Sequence, residues 1–387
     1  MSVLYITNKP IYPAVDGGCV AMASFISHLL EIHDKVDHFT VSTHKHPFNL
    51  KDYPSVLSKK IQVYHCFINT KISIIDATLN LFSSSSYNVS RFYNKNFESL
   101  LIELLKNKHE IIYIESIFLL PYLNTIRKFS NAKVILRAPN IEFKIWEKNI
   151  ERTSNFFKKI YLKHLTKNLK TYELNQFHKV DGILSISNLD YNYILNLNLS
   201  IPILNLPFAI TPNPTENIDK NNFFFIGAYN WKPNLDAVLF LINELFPSIL
   251  KINPNAKLHI AGSYMPNYFY GFQNESIKIY GKVDSVEGFM KKHGILLAPI
   301  FSGSGVRIKI LEALSFGIPV IGSNIAIQGI NSKACFVAES IDEYLIHIQK
   351  ITNTDIQKIT IEATTYIDKN YNPRQIESKL NDFIESC

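Results

Sequence analysis

Short apolar runs alternate with stretches of helical spacing along almost the whole chain. Residues 3–7 form an apolar run that closes on turn residues, which predicts a buried strand. Beyond Asp16-Gly17-Gly18, the positions Ala23, Phe25, Ile26, Leu29 and Leu30 share one helical face, so a helix is predicted over 20–30. Further strands are predicted at 36–41, 61–67, 111–115, 133–137 and 181–187, with helical patterns between them. The alternation restarts after Pro212-Asn213-Pro214, a turn-rich break. There a strand at 223–227 leads into a helix over 234–250, and strands follow at 257–262, 277–281, 294–299 and 319–322. Strands that alternate with helices build parallel, doubly wound sheets. The predicted fold class is therefore α/β, with two Rossmann-like halves and a ligand cleft between their carboxyl edges.

Composition narrows this only a little. The chain has 387 residues, 47% of them apolar and 19% charged, which fits two ordinary domains and excludes disorder, coiled coil and collagen. No apolar run approaches the ~18–20 residues that cross a bilayer. Residues 1–7 lack the basic stretch and small-residue cleavage site of a secretion signal. Cys19, Cys66, Cys335 and Cys387 are far apart and have no metal-ligand spacing, so neither a disulfide framework nor a metal site is expected. These features predict a cytoplasmic protein.

Charge changes the picture in one place. Between residues 144 and 170 there are eight Lys or Arg against two Glu, interleaved with Trp146, Phe156, Phe157, Tyr161, Leu162 and Leu165. A basic, aromatic amphipathic helix suits an anionic membrane surface. The same pattern also describes a helix that packs its aromatic stripe on its own domain and solvates its lysines. Nucleic acid is not expected as a partner, because no recognition module is present.

Glycine is scarce, with 14 residues, and eleven of them fall between Gly227 and Gly329. Where glycine is rare it marks turns and close approaches. The most informative stretch is 299–321, which reads as strand, glycine turn, helix, glycine stop and strand. Gly303 and Gly305 free the amides at a helix start, where the macrodipole favours an anion. Arg307 and Lys309 stand in that first turn, although cations there oppose the dipole. A bound diphosphate explains them, and Glu312, three residues after Lys309, could accept two hydrogen bonds from a ribose diol. The plainer alternative is a surface Lys309–Glu312 pair beside an ordinary turn.

Gly305-Val306-Arg307-Ile308-Lys309-Ile310-Leu311-Glu312-Ala313-Leu314, followed by Gly317-Ile318-Pro319-Val320, resembles the donor-binding motif of retaining GT-B glycosyltransferases of glycosyltransferase family 4. Gly227 to Asn234 resembles that family's G-x-x-x-W-x-P-N, and Arg137 to Glu142 with Trp146 resembles its R-x-H-N-x-E. Asp16-Gly17-Gly18 resembles its N-terminal glycine loop. The resemblance implies a GT-B architecture with domains 1–208 and 209–372, and a terminal helix, 373–387, that packs back on the first. It implies that Glu312 holds the ribose, that Arg307 and Lys309 hold the leaving diphosphate, and that Gly303, Ser304 and Gly305 approach the donor. The Gly18 amide would meet the β-phosphate, and the backbone at Val283 would read the base. Asp16, Asn140, Asn230 and Trp231 would contact sugar or acceptor. Ser304 stands where the family often has Glu, and Pro139 where it has His.

The expected function is retaining transfer of a sugar from a nucleotide-diphosphate sugar to a glycan or lipid-linked glycan, with no metal or other cofactor. The enzyme would work in the cytoplasm or on the inner membrane face. An inverting reaction would need a positioned base, for which Glu115 at a strand end and Asp16 are the candidates. Tryptophans such as Trp231 and Trp146 are more often packing residues than sugar platforms, and Trp231, after a glycine turn at a strand end, leans further towards the cleft. A nucleotide-sugar epimerase or hydrolase, or a non-catalytic nucleotide-sugar-binding partner in a glycan assembly complex, fits the same residues. The twelve histidines show no catalytic or metal spacing.

Overall fold

The structure is a computed structural model that describes residues 1–14, 17–71, 80, 85–151, 153–302 and 307–387. The chain divides into two units, residues 1–208 with 374–387, and residues 209–373. Each is built on one parallel sheet flanked by helices.

In the first unit the strands are β1 (Ser2–Thr7), β2 (Lys35–Ser42), β3 (Ile61–Phe67), β4 (Ile111–Glu115), β5 (Lys133–Ala138), β6 (Gly182–Ser185) and β7 (Ile203–Asn205). They lie in the order β3-β2-β1-β4-β5-β6-β7, with registers such as Val3 opposite both Val36 and Ile111. The order reverses between β1 and β4. Burial on both faces explains why β1 reads as an unbroken apolar run: Val3, Leu4, Tyr5 and Ile6 are all buried. The helix Gly17–Ile32 follows β1 and buries Cys19, Ala21, Met22, Phe25, Ile26 and Leu29. The helix Pro373–Ser386 also belongs here and buries Ile376, Leu380, Phe383 and Ile384. Its Phe383 ring comes so close to Gly182 that a Cβ there would lie 2.7 Å from it.

In the second unit β8 (Asn222–Ile226), β9 (Lys257–Ala261), β10 (Ile277–Gly281), β11 (Ile295–Ala298), β12 (Val320–Gly322) and β13 (Cys335–Val337) lie in the order β10-β9-β8-β11-β12-β13. Here the reversal falls between β8 and β11, so the loops that leave these two strands part company at their carboxyl ends. That crevice is where open α/β sheets bind ligands. Phe223, Phe224 and Phe225 of β8 are fully buried, each worth about 1.5–3 kcal/mol of apolar burial.

Two helices flank this switch point. Lys232–Phe240 follows β8, starts at Trp231 as its N-cap and has Pro233 in its first turn. It continues through a π-helical turn, Leu241–Leu245, into Phe246–Ile252. Pro247 has no N–H for the carbonyl of residue 243, and the ladder widens ahead of it, with the Phe246 amide reaching Leu241. The second helix, Ile308–Ser315, follows β11 and buries Ile310, Leu311, Ala313 and Leu314. It stops at Gly317, whose φ of 75° suits glycine.

The basic segment is two helices rather than one, Glu142–Glu151 and Phe156–Phe177. Leu162, Leu165 and Leu169 turn inward, whereas Phe156 and Phe157 are 69% and 81% exposed. Trp146 is half-buried against the core of the first unit. Among the described residues, no helix is long and apolar enough to cross a membrane.

Candidate functional site

The helix Ile308–Ser315 carries three of the residues that the sequence singles out. Arg307 is its N-cap, with φ −87° and ψ 86°. Lys309 and Glu312 follow on the half-buried side of the helix. Arg307 is buried with its guanidinium carbon 5.1 Å from the centre of the Trp231 ring. Burial lowers its pKa to about 10. Trp231 is 36% exposed, so it is a shelf for the arginine, a role intermediate between the core packing and the open sugar platform that the sequence allows.

Lys309 does not make the solvent pair with Glu312 that the plainer reading of the sequence allows. Its ammonium donates to the Ile226 carbonyl at 3.0 Å and to Asn234 Oδ1 at 2.8 Å. It also lies 4.0 Å from the centre of the Phe225 ring. The helix that follows β11 is thereby tied to the end of β8 and to the helix after it. Burial, reinforced by the Arg307 charge, lowers the lysine to about 7. Burial raises the Glu312 carboxyl to about 7, and the nearby Lys309 charge only partly opposes this. No described residue donates a hydrogen bond to the Glu312 carboxylate, whose two oxygens have the capacity to accept from a polyhydroxyl group.

Asn234 is the residue that sequence reasoning missed. It is visible in the Trp231-Lys232-Pro233-Asn234 stretch, but nothing in a linear pattern shows which lysine its carboxamide meets 75 positions later.

Val283 is half-buried in the loop after β10, and Asn230 is exposed in the turn after β8. In the first unit Gly18 sits in the opening turn of the helix Gly17–Ile32, after β1. Asn140 is half-buried in the loop between β5 and the helix Glu142–Glu151. Asp16, Gly303, Ser304 and Gly305 lie outside the described residues.

Glu115 requires a correction. It ends β4, as expected, but it is 2% exposed and both of its oxygens are engaged. Oε1 pairs with Arg137 at 2.5 Å and Oε2 accepts from the Tyr5 hydroxyl at 2.6 Å. Arg137 is itself 1% exposed and donates a further bond to the Ala21 carbonyl at 3.2 Å. Burial costs each ion several kcal/mol when unpaired, a cost that the Arg137–Glu115 pair offsets. Glu115 therefore neutralises Arg137 inside the sheet and is not placed to take a proton from substrate.

A cavity of about 550 Å³ lies elsewhere in the second unit, lined in part by Asn222, Lys257 and Ser276 at the amino ends of their strands. None of the nominated residues lines it. Among the described residues no three His, Cys, Asp or Glu side chains gather into a metal-binding group.

Residues 220–353, which contain the whole β8 to helix 308–315 constellation, match the family Glycosyl transferases group 1. A Klebsiella pneumoniae protein described as an uncharacterized 44.6 kDa protein in the cps region is 22% identical over 294 residues, 71% of this chain and 74% of that protein. Among solved structures, sucrose-phosphate synthase from Thermosynechococcus elongatus superposes with a TM-score of 0.68 at 11% identity, covering 100% of this chain and 98% of its own. HepE from Anabaena, in complex with UDP, gives 0.68 at 12% identity and covers 100% of both chains. An Escherichia coli trehalose-6-phosphate protein bound with UDP-2-fluoro glucose gives 0.63 at 13%, covering 99% of both. The fold is thus the GT-B fold of glycosyltransferases, and its second unit is of the group 1 glycosyltransferase type.

Proposed function

We propose that this chain, a glycosyltransferase of the group 1 type, transfers a sugar from a nucleotide-diphosphate sugar to a glycan or lipid-linked glycan, with retention and without a metal. The observation that carries this reading is the meeting of Arg307, Lys309 and Glu312 at the β8/β11 switch point, with two desolvated cations and one open carboxylate on a single helix. Glu312 accepts the ribose hydroxyls. Arg307 and Lys309 stabilise the negative charge that grows on the departing diphosphate as the bond from the anomeric carbon to the phosphate oxygen breaks. Preorganised charge of this kind is commonly the largest catalytic contribution. The acceptor oxygen bonds to the same face of that carbon, and its proton passes to the leaving phosphate oxygen. Such a course needs no protein base, and the engagement of Glu115 by Arg137 and Tyr5 favours it. Gly18 and residues 303–305 supply amides to the donor, Val283 the base contact, and Asp16, Asn140, Asn230 and Trp231 the sugar or acceptor contacts. The solved complexes of HepE and of the Escherichia coli protein carry UDP or a UDP-sugar, and the Klebsiella relative is placed in a cps region. Both agree with a nucleotide-sugar donor and a glycan acceptor.

A thermal-shift panel of UDP-, GDP-, ADP- and TDP-sugars tests the donor site. A ligand at 100-fold over its dissociation constant adds ~2.7 kcal/mol of stability, which raises the melting temperature measurably. Arg307→Ala is expected to remove the shift produced by the best donor. A panel with no shift for any donor in the wild type sinks the reading.

The acceptor side carries a membrane component. Phe156, Phe157 and Ile160 are exposed at the head of the helix Phe156–Phe177, alongside exposed Lys158, Lys163 and Lys167. Apolar rings flanked by lysines suit an anionic lipid surface, each lysine near it contributing about 1 kcal/mol. This placement at the inner face of a cytoplasmic membrane would bring a lipid-linked acceptor to the enzyme.

A further inference from the structure

Asn234 lies in the first turn of the helix Lys232–Phe240 and is only 5% exposed. Its backbone N–H donates to the Trp231 carbonyl at 3.0 Å. Its side-chain Nδ2 donates to the Ala228 carbonyl at 2.9 Å, and its Oδ1 accepts from Lys309. This fixes the carboxamide in one orientation, because a backbone carbonyl accepts only from a donor and an ammonium has no acceptor to offer. Space for it is provided by Gly227 at the exit of β8, where a Cβ would lie 2.7 Å from Nδ2.

We propose that Asn234 is a positioning residue for the donor chemistry: with the Ile226 carbonyl it takes up two of the three N–H groups of the Lys309 ammonium and aims the third at the diphosphate. The proposal rests on the donor-site reading above and adds a residue to it. An ammonium on a flexible four-carbon stem has no fixed direction of its own. Two fixed acceptors and the Phe225 ring beneath it give it one. The charged groups that face Lys309 are Arg307 and Glu312, both from its own segment. β8 and the helix Lys232–Phe240 contribute a ring, a carbonyl and a carboxamide, none of which titrates. Asn234 Oδ1 is therefore a polar acceptor for an amine that burial desolvates.

The test is a calorimetric titration of four proteins, the wild type, Lys309→Ala, Asn234→Ala and Asn234→Asp, from about pH 6 to about pH 9. The probe is the tightest binder of the wild type among UDP, GDP, ADP and TDP. Wild-type affinity is expected to fall as pH rises past the lysine pKa, because the protonated amine holds the anion. Asn234→Ala is expected to bind about tenfold more weakly at neutral pH, with the fall moved to lower pH. Asn234→Asp, nearly the same shape, places a carboxylate beside the ammonium and is expected to move the fall upward by about one pH unit. If Asn234→Ala does not fold, the Asn234→Asp profile decides. Should both variants keep the wild-type profile while Lys309→Ala loses binding, Asn234 does not position the lysine and the proposal is overturned. If the wild type binds none of the four nucleotides, or Lys309→Ala binds as the wild type does, the donor-site reading fails first and takes this proposal with it.

Discussion

At the scale of single residues, burial works against the two ionisable groups of the donor helix in opposite directions. The Lys309 ammonium is discouraged and the Glu312 carboxyl is kept protonated up to about 7. For Glu312 the consequence for stability has a definite sign. The unfolded chain releases this proton near the ordinary value, about 4.3, whereas the folded chain holds it to about 7. Between these values the native state binds more protons, so stability falls as pH rises. Above 7 the whole penalty is present. Glu312→Gln is accordingly expected to melt higher than the wild type at about pH 8, with the difference closing at about pH 4, while donor protection is lost. A melting-temperature difference that does not change with pH would contradict the burial of this carboxyl. Arg307, Lys309 and Glu312 were legible in the sequence because one short helix places them together by spacing alone. Asn234 and the true role of Glu115 were not, because their partners lie 75 and 22 positions away. A strand-end carboxylate looks the same in a linear pattern whether it faces substrate or a buried arginine.

At the scale of elements, the donor helix is held at both ends. At its start Lys309 ties it to β8. At its end the Gly317 amide donates to Leu314 at 3.0 Å and the Ile318 amide to Ala313 at 2.9 Å, which is the paired arrangement of a Schellman stop. Gly317 has φ 75°, and a Cβ there would lie 2.5 Å from Thr360 Cγ2. Gly317→Ala is expected to cost at least about 1–2 kcal/mol from the left-handed backbone alone, read as a lower midpoint in urea. It should also weaken donor binding, since a displacement at the stop is carried along this short helix to Lys309 and Glu312. The glycine stop could be read from the sequence because glycine is the ordinary residue for that conformation. The edge strands β7 and β13 could not, since three residues are too few to show a period. The π-turn at Leu241–Leu245 also escaped, as Pro247 in a helical pattern suggests a break and the chain widened instead.

At the scale of the whole molecule, the doubly wound grammar appears twice because the fold does, and this is why its class was readable from alternation alone. The basic segment was harder. Its composition fits both a packed helix and a membrane face, and the helix Phe156–Phe177 has a feature of each, with leucines inward and its first two aromatics outward. Co-sedimentation with vesicles tests the outer face. Binding is expected with anionic phosphatidylglycerol vesicles and little with phosphatidylcholine, falling with salt as charge is screened. Phe156→Ser with Phe157→Ser is expected to reduce it severalfold and leave donor protection unchanged. Equal binding by the double variant would remove the lipid role.

The helix Pro373–Ser386 has a consequence during synthesis. It completes the first unit, yet it is translated only after all of the second. At roughly 5–20 residues per second, translation of the intervening stretch takes on the order of ten to thirty seconds. For that time the groove awaiting Ile376, Leu380, Phe383 and Ile384 is uncovered. The later-made half is thus able to finish folding before the earlier one, and until the last helix docks the nascent chain carries an uncovered apolar seam.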